Sequence, residues 1–203
     1  MRRLYFVYMG RLHSTTEAEL TGMCGKGLPE AQEELYGRYA SAMFAICLRY
    51  CGNRDDAEDL LHDGFIKIFG SIRKFRYQGA GSLGGWMGKV FVNEAVSRLR
   101  KKARRDIRSV PVEESTLTIY DETGTSDDTL ENVSPEKLIE MISELPDGCR
   151  SVLNLYVFEQ KSHKEIARLL GIKENSSTSQ LHRAKAILRN KINRLKNGNE
   201  NRR

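Results

Sequence analysis

Between Ser162 and Lys185 the chain collects side chains that hydrogen-bond well. They are Ser162, His163, Ser176, Thr178, Ser179, Gln180, His182, Arg183 and Lys185. Hydroxyls, imidazoles and an amide both donate and accept; Arg adds a rigid donor fork and Lys a point charge. That inventory reads base edges and grips phosphates. From 160 to 203 there are twelve Lys or Arg against three Asp or Glu, an excess that attracts a phosphate backbone. The solvated face of an ordinary helical hairpin would use the same residue types. A second group is acidic: Asp55, Asp56, Glu58, Asp59 and Asp63, with His62 among them. Carboxylates so placed can favour a helix N-terminus, dock a basic partner, or hold a divalent metal for nuclease chemistry. Metal chemistry is the weakest of the three, because helical spacing brings only some of them together and no catalytic Lys or His motif accompanies them. A third group mixes Tyr77, Trp86 and Phe91 with eight Lys or Arg between 86 and 108, where only Glu94 and Asp106 are acidic. Rings for stacking and cations for the backbone suit unstacked nucleic acid, although a Trp is by type a core anchor and a helix C-terminus favours cations anyway.

Those residues need elements to hold them. Ser162 with Glu165 three positions on is a capping box, and Ile166, Leu169 and Leu170 give one apolar face before Gly171, a residue suited to stopping a helix. A second helix starts around 174–176, with Leu181, Ala184, Leu188 and Ile192 at helical spacing. A short helix, a Gly turn and a longer basic helix is the layout that sends the second helix into the major groove. Upstream, Leu35, Tyr39, Met43 and Ile46 form one helical stripe, and Ala57, Leu60, Leu61, Phe65, Ile68, Ile72 and Phe75 a second. Trp86, Val90, Asn93 with Glu94, and Leu99 lie along a third. Gly52-Asn53 separates the first two, and residues 77–85, with four glycines, the second and third. Residues 109–134 hold seven acids, no bases and scattered Ser and Thr, the composition of a mobile linker. Ser134-Pro135 is a cap with a first-turn proline; Leu138, Ile139 and Ile142 follow, then Val152, Leu153, Leu155, Tyr156 and Phe158.

The fold class expected is therefore all-α: two small helical domains joined by a flexible acidic linker. The divisions are a loosely ordered N-terminal extension over 1–24, a bundle over 25–108, the linker over 109–133, a helix-turn-helix domain over 134–195 and a basic polar tail over 196–203. Hydrophobic residues make up 39% of 203, enough for small cores, and no apolar run approaches the roughly 18 residues of a membrane span. The opening MRRLYFVYMGRLH has an apolar run short of the roughly 7–15 residues of a signal peptide and no small-residue cleavage site, so a cytoplasmic location without membrane insertion is expected. Cys24, Cys47, Cys51 and Cys149 match neither a disulfide framework nor a zinc spacing, and behave as small hydrophobes. No metal and no cofactor is implied.

DAEDLLHDGFIKIF followed by KFRYQGAGSLGGWMGKVFVNEAVSRLRKK resembles region two of a bacterial sigma factor. LPDGCRSVLNLYVFEQKSHKEIARLLGIKENSSTSQLHRAKAIL resembles region four, and two such regions on a short linker resemble the extracytoplasmic-function subgroup of the sigma-70 family. The likeness covers roughly 25–108 and 134–195. It implies a non-enzyme that binds core RNA polymerase, through the clamp helices of the largest subunit and the flap of the second-largest, and directs it to promoter DNA. On that likeness Asp56, Asp59, His62 and Asp63 dock polymerase. Tyr77, Ser82, Trp86, Lys89, Asn93, Arg100 and Lys101 take the opened −10 element, with Asn93 matching a position at which some members read a flipped base. Ser162, His163, Ser176, Thr178, Ser179, His182, Arg183 and Lys185 take the −35 duplex, with Ser162, His163 and Lys185 towards phosphate. An anti-sigma factor, a membrane-bound one included, is implied as a further partner. Family members often carry a charge where Thr178 and Gln180 stand, and the loop between Phe75 and Trp86 is longer and richer in Gly than in many, so the −35 sequence and the base pocket stay open. The competing reading is a stand-alone helix-turn-helix regulator that binds duplex DNA without polymerase.

Overall fold

A computed structural model of the chain describes residues 15–106 and 133–200, with side chains to Lys102 in the first stretch and to Leu195 in the second. The apolar start, the acidic segment 109–132 and the last three residues lie outside the described residues. The described residues form helices joined by turns, bends and short irregular stretches, with no strand among them. Two compact units form: one from residues up to Cys47 with Asp55–Ala95, the other from Leu48–Arg54 with residues from Val96 onward.

The first unit opens with α1 (Glu17–Gly25). The loose stretch expected through residue 24 is overturned from Thr16 on. Glu19 N–H donates to Thr16 Oγ1 at 3.3 Å and Thr16 N–H to Glu19 Oε2 at 3.0 Å, a reciprocal cap that the apolar residues before it obscured. Leu20 and Cys24 are buried, and the Cys24 thiol donates to Ala31 O at 3.1 Å; burial pushes that thiol up to about 11. α2 (Pro29–Cys51) begins on a proline that needs no N–H partner and stops before Gly52, at φ +81. α3 (Arg54–Ser71) runs into a 3-10 turn over Ile72–Lys74, and α4 (Ser82–Asp106) follows the glycine loop.

α4 starts four residues before Trp86, and its core register differs from the expected one. Leu83, Met87, Phe91 and Ala95 are the buried series, one every fourth residue, while Trp86 and Val90 are half-buried and Asn93 is exposed. Gly84 and Gly85 disguise the first turn, and Gly84 is tolerated there because a Cβ would come to 3.2 Å from the Tyr39 ring. Gly64 is needed for packing too: a Cβ on it would overlap the buried Phe91 ring, so α3 and α4 meet there at close range.

The second unit contains α5 (Pro135–Ser143), α6 (Asp147–Leu153), a π-helical turn over Asn154–Phe158, α7 (His163–Leu170) and α8 (Glu174–Glu200). Ser134 caps α5 by accepting from Lys137 N–H at 3.3 Å. Met141, Leu145, Val152, Leu155, Ile166, Leu181, Ala184 and Ile192 form the core. Instead of extending the apolar stripe, Tyr156, Val157 and Phe158 are exposed, because the π turn rotates them off the core face. Where a tail was expected from 196, the backbone stays helical to Glu200. Arg150 is only 5% exposed, and its burial is tolerable because its donors are filled. They reach the carbonyls of Tyr50 (3.1 Å), Cys51 (3.2 Å), Ser143 (2.8 Å) and Leu145 (2.6 Å), and Asp147 Oδ1 at 2.5 Å. A Cβ on Gly52 would overlap that guanidinium.

Candidate nucleic-acid interface

The helix-turn-helix is assembled as its sequence spells it. Glu165 N–H donates to Ser162 Oγ at 3.3 Å while Ser162 N–H donates to Glu165 Oε2 at 2.9 Å. The backbone bond at Ser162, then its hydroxyl, hold the Glu165 carboxyl below its ordinary value. Gly171 ends α7 in the left-handed conformation at φ +72, with its N–H on Ala167 O at 2.9 Å. α8 then buries Ser177, Leu181, Ala184 and Ile192 on one face. Ser176, Ser179 and Arg183, at i, i+3 and i+7, fall on the other, with exposed His182 beside them. Thr178 spends its hydroxyl on Glu174 O at 3.3 Å, and the exposed Lys185 ammonium lies 6.0 Å over the Tyr156 ring.

Two residues of this region depart from expectation. Gln180 does not join the outward face: its amide lies against Gly148 of α6, about 3 Å from where a Cβ would sit, and its Oε1 is buried with no hydrogen-bond partner among the described residues. Its place in the helical period is lateral to the Leu181 face, which a reading by residue type alone overlooks. Ser177, which residue type gave no reason to single out, is fully buried with its hydroxyl 2.9 Å from His163 Nδ1. Only its spacing of four from Leu181 signalled that. His163 also stacks on Tyr156, ring centroids 4.8 Å apart at 23°.

In the first unit, α4 turns Ser82, Trp86, Lys89 and Asn93 away from the Leu83–Phe91 face, a consequence of the register described above. Trp86 leans on Phe75, centroids 5.0 Å apart, so its ring is half-buried and braced. Beside the exposed Asn93, Glu94 is buried and takes a hydrogen bond from the exposed Lys67 Nζ of α3. Tyr77 is exposed at the loop entrance. Glu17 of α1 ties that loop down: its carboxylate accepts from Tyr39 OH at 2.7 Å and from Gly81 N–H at 3.0 Å. Burial, then Glu17, push the Tyr39 phenol well up. Neither Glu17 nor the Lys67–Glu94 pair carries a local sequence signal. Asp56, Asp59, His62 and Asp63 are all exposed on α3, and Ile66, 57% exposed, continues their face. They run along a helix face, and among the described residues no group of three or more His, Cys, Asp or Glu is placed to hold a metal ion.

In the second unit Arg100 donates to Leu169 O, and to Arg168 O at 3.1 Å, the last carbonyls of α7, while Lys101 is exposed. Lys102 Nζ lies 2.5 Å from Asp147 Oδ2.

The sequence has clear relatives. Residues 35–105 match the family model for sigma-70 region 2 and residues 136–188 that for sigma-70, region 4, together more than half of the chain. The chain is 26% identical to the ECF RNA polymerase sigma factor SigE of Mycolicibacterium smegmatis, over 77% of this chain and 60% of that protein. It therefore spans less than two thirds of that relative. It is also 26% identical to the ECF RNA polymerase sigma-E factor of Haemophilus influenzae, over 89% of this chain and 97% of that protein. With the ECF RNA polymerase sigma factor SigW of Bacillus subtilis the identity is again 26%, covering 84% and 93%. The chain belongs to the sigma-70 family, in its extracytoplasmic-function group.

Proposed function

We propose that the α7–α8 pair reads −35 duplex while the outward face of α4, with the glycine loop, captures melted −10 strand, and that the exposed acids of α3 dock core polymerase. The observation that carries the reading is the pairing of two outward polar faces of opposite character. Ser176, Ser179, His182 and Arg183 stand on a helix free to enter a groove. Asn93 is exposed two turns along α4 from Trp86, whose ring leans on Phe75 and offers a surface on which an extruded base could stack. No bond is made or broken: binding energy from duplex and polymerase offsets the few kcal/mol that unstacking costs per base. Asp56, Asp59, His62 and Asp63 take the clamp of the largest subunit and the helix-turn-helix domain the flap of the second-largest. Promoter recognition of this kind takes place in the cytoplasm. An anti-sigma factor that covers these surfaces in resting cells, whether or not it is anchored in the membrane, is part of the same reading.

The deciding experiment is in vitro transcription with core polymerase over a promoter library, beside a polymerase-free binding control. Start sites that share spaced −35 and −10 elements, and that need both components, are expected. A strong duplex footprint by the protein alone, with no stimulation of core polymerase, would replace this reading with a stand-alone regulator.

A further inference from the structure

Sequence type and family likeness both send His163 towards a phosphate, but its ring is already engaged on two sides. It is the first residue of α7, its Nδ1 lies 2.9 Å from the hydroxyl of Ser177 on α8, and its plane stacks on Tyr156 from the preceding π turn. Ser177 is fully buried and flanked in sequence by Ser176 and Thr178, at the start of the turn that also presents Ser179. We propose that His163 and Ser177 are positioning residues: their hydrogen bond sets the roll and slide of α8 on α7, and with it the sequence selectivity of the −35 contact. The inference rests on the −35 reading above and deepens it.

The physical reason is directional. Leu181, Ala184 and Ile192 hold α8 to the core through apolar burial, which favours contact without fixing rotation about the helix axis. A hydrogen bond weakens steeply when bent, so one between a stacked ring and a buried hydroxyl resists small rolls. Base readout by a donor fork has the same angular demand, and a helix that rolls by a few degrees keeps its phosphate attraction while losing its alignment to a base edge. Tyr156 supplies the backing that keeps the imidazole from swinging out; Lys185, over the same tyrosine ring, adds to that stack.

The test uses holoenzyme reconstituted from core polymerase and the full chain. The probes are a promoter recovered from a library by the wild-type holoenzyme and the same promoter with its −35 element scrambled. The variants are His163→Ala, Ser177→Ala, the pair together, His163→Asn and His163→Lys. Each alanine change is expected to narrow the matched-to-scrambled binding ratio roughly five- to tenfold, with holoenzyme assembly retained and the thermal unfolding midpoint lowered only by what the loss of one hydrogen bond accounts for. The double variant should be no worse than either single, because both remove one interaction. His163→Asn, whose amide can reach the Ser177 hydroxyl, should restore most of the ratio, and His163→Lys should not. If Lys preserves selectivity and Asn loses it, His163 is a phosphate contact and the proposal is overturned. Losses that multiply in the double variant overturn it as well. A wild-type holoenzyme that selects no promoter would overturn the functional reading itself, a failure visible before any variant is made.

Discussion

In the proposed reading Arg183 and Asn93 ask different things of DNA, and their variants separate duplex reading from strand capture. Arg183 stands exposed on the outward face of α8. Replacing it with Ala should weaken holoenzyme binding to a −35 duplex by about 1–3 kcal/mol and relax the preference at one base pair, as measured by competition with single-base variants. Unchanged competition at every position would remove Arg183 from base readout. Asn93→Ala should spare closed-complex formation and slow opening, which permanganate reactivity of unpaired thymines reports; an equal loss in both would contradict base capture. Arg183 was legible because a helical period sorts it from Leu181 and Ala184, whereas the period set Asn93 on the stripe of Trp86 and Val90 and only the family likeness singled it out. Gln180 and Ser177 were not legible, since both are polar residues that face protein, and only their places relative to Leu181 distinguish them from Ser179.

Elements were legible where their ends carry chemistry. Ser162, Glu165 and Gly171 spell out both ends of α7, and its boundaries, His163–Leu170, follow. α4 hides its start, because glycines that read as loop form its first turn, and the core series shifts from Trp86 and Val90 to Leu83, Met87 and Phe91. α1 is hard to see in the sequence because its cap, Thr16 with Glu19, follows closely on an apolar stretch. Ser162→Ala should cost about 1 kcal/mol of stability by urea unfolding, since one cap acceptor is lost. The Glu165 carboxyl in that cap lies below its ordinary value in the folded chain. Its contribution is therefore complete above the usual Glu pKa of about 4.3 and is lost as pH falls through the lower folded value. The gap between wild type and Glu165→Gln should accordingly close in acid, and a gap that widened there would reverse the assignment. Gly64→Ala is the harsher change, because its methyl meets the Phe91 ring and overpacking costs about 1–3 kcal/mol. Pairing it with Phe91→Leu should recover part of the loss in a double-mutant cycle.

For the molecule as a whole, charge is segregated along the chain, with the basic excess after 160 and a run of acids on α3. The acids on α3 have two possible roles, and position separates them. A helix N-terminus attracts carboxylates only over about its first turn. Asp55 and Asp56 are in that turn, so their charge has a local use. Asp59 and Asp63 stand one and two turns further along, exposed and beyond that field, with Ile66 continuing their face. If docking is their purpose, Asp59→Asn and Asp63→Asn should leave the unfolding midpoint nearly unchanged while slowing association with core polymerase, and the defect should shrink as salt screens the remaining attraction. Asp56→Asn should do more to stability than its neighbours do. Titration of labelled core polymerase at two ionic strengths, beside thermal unfolding of each variant, separates the cases. Equal core affinity for wild type and both downstream variants would return the strip to solvation, and would move the polymerase contact elsewhere on the helices.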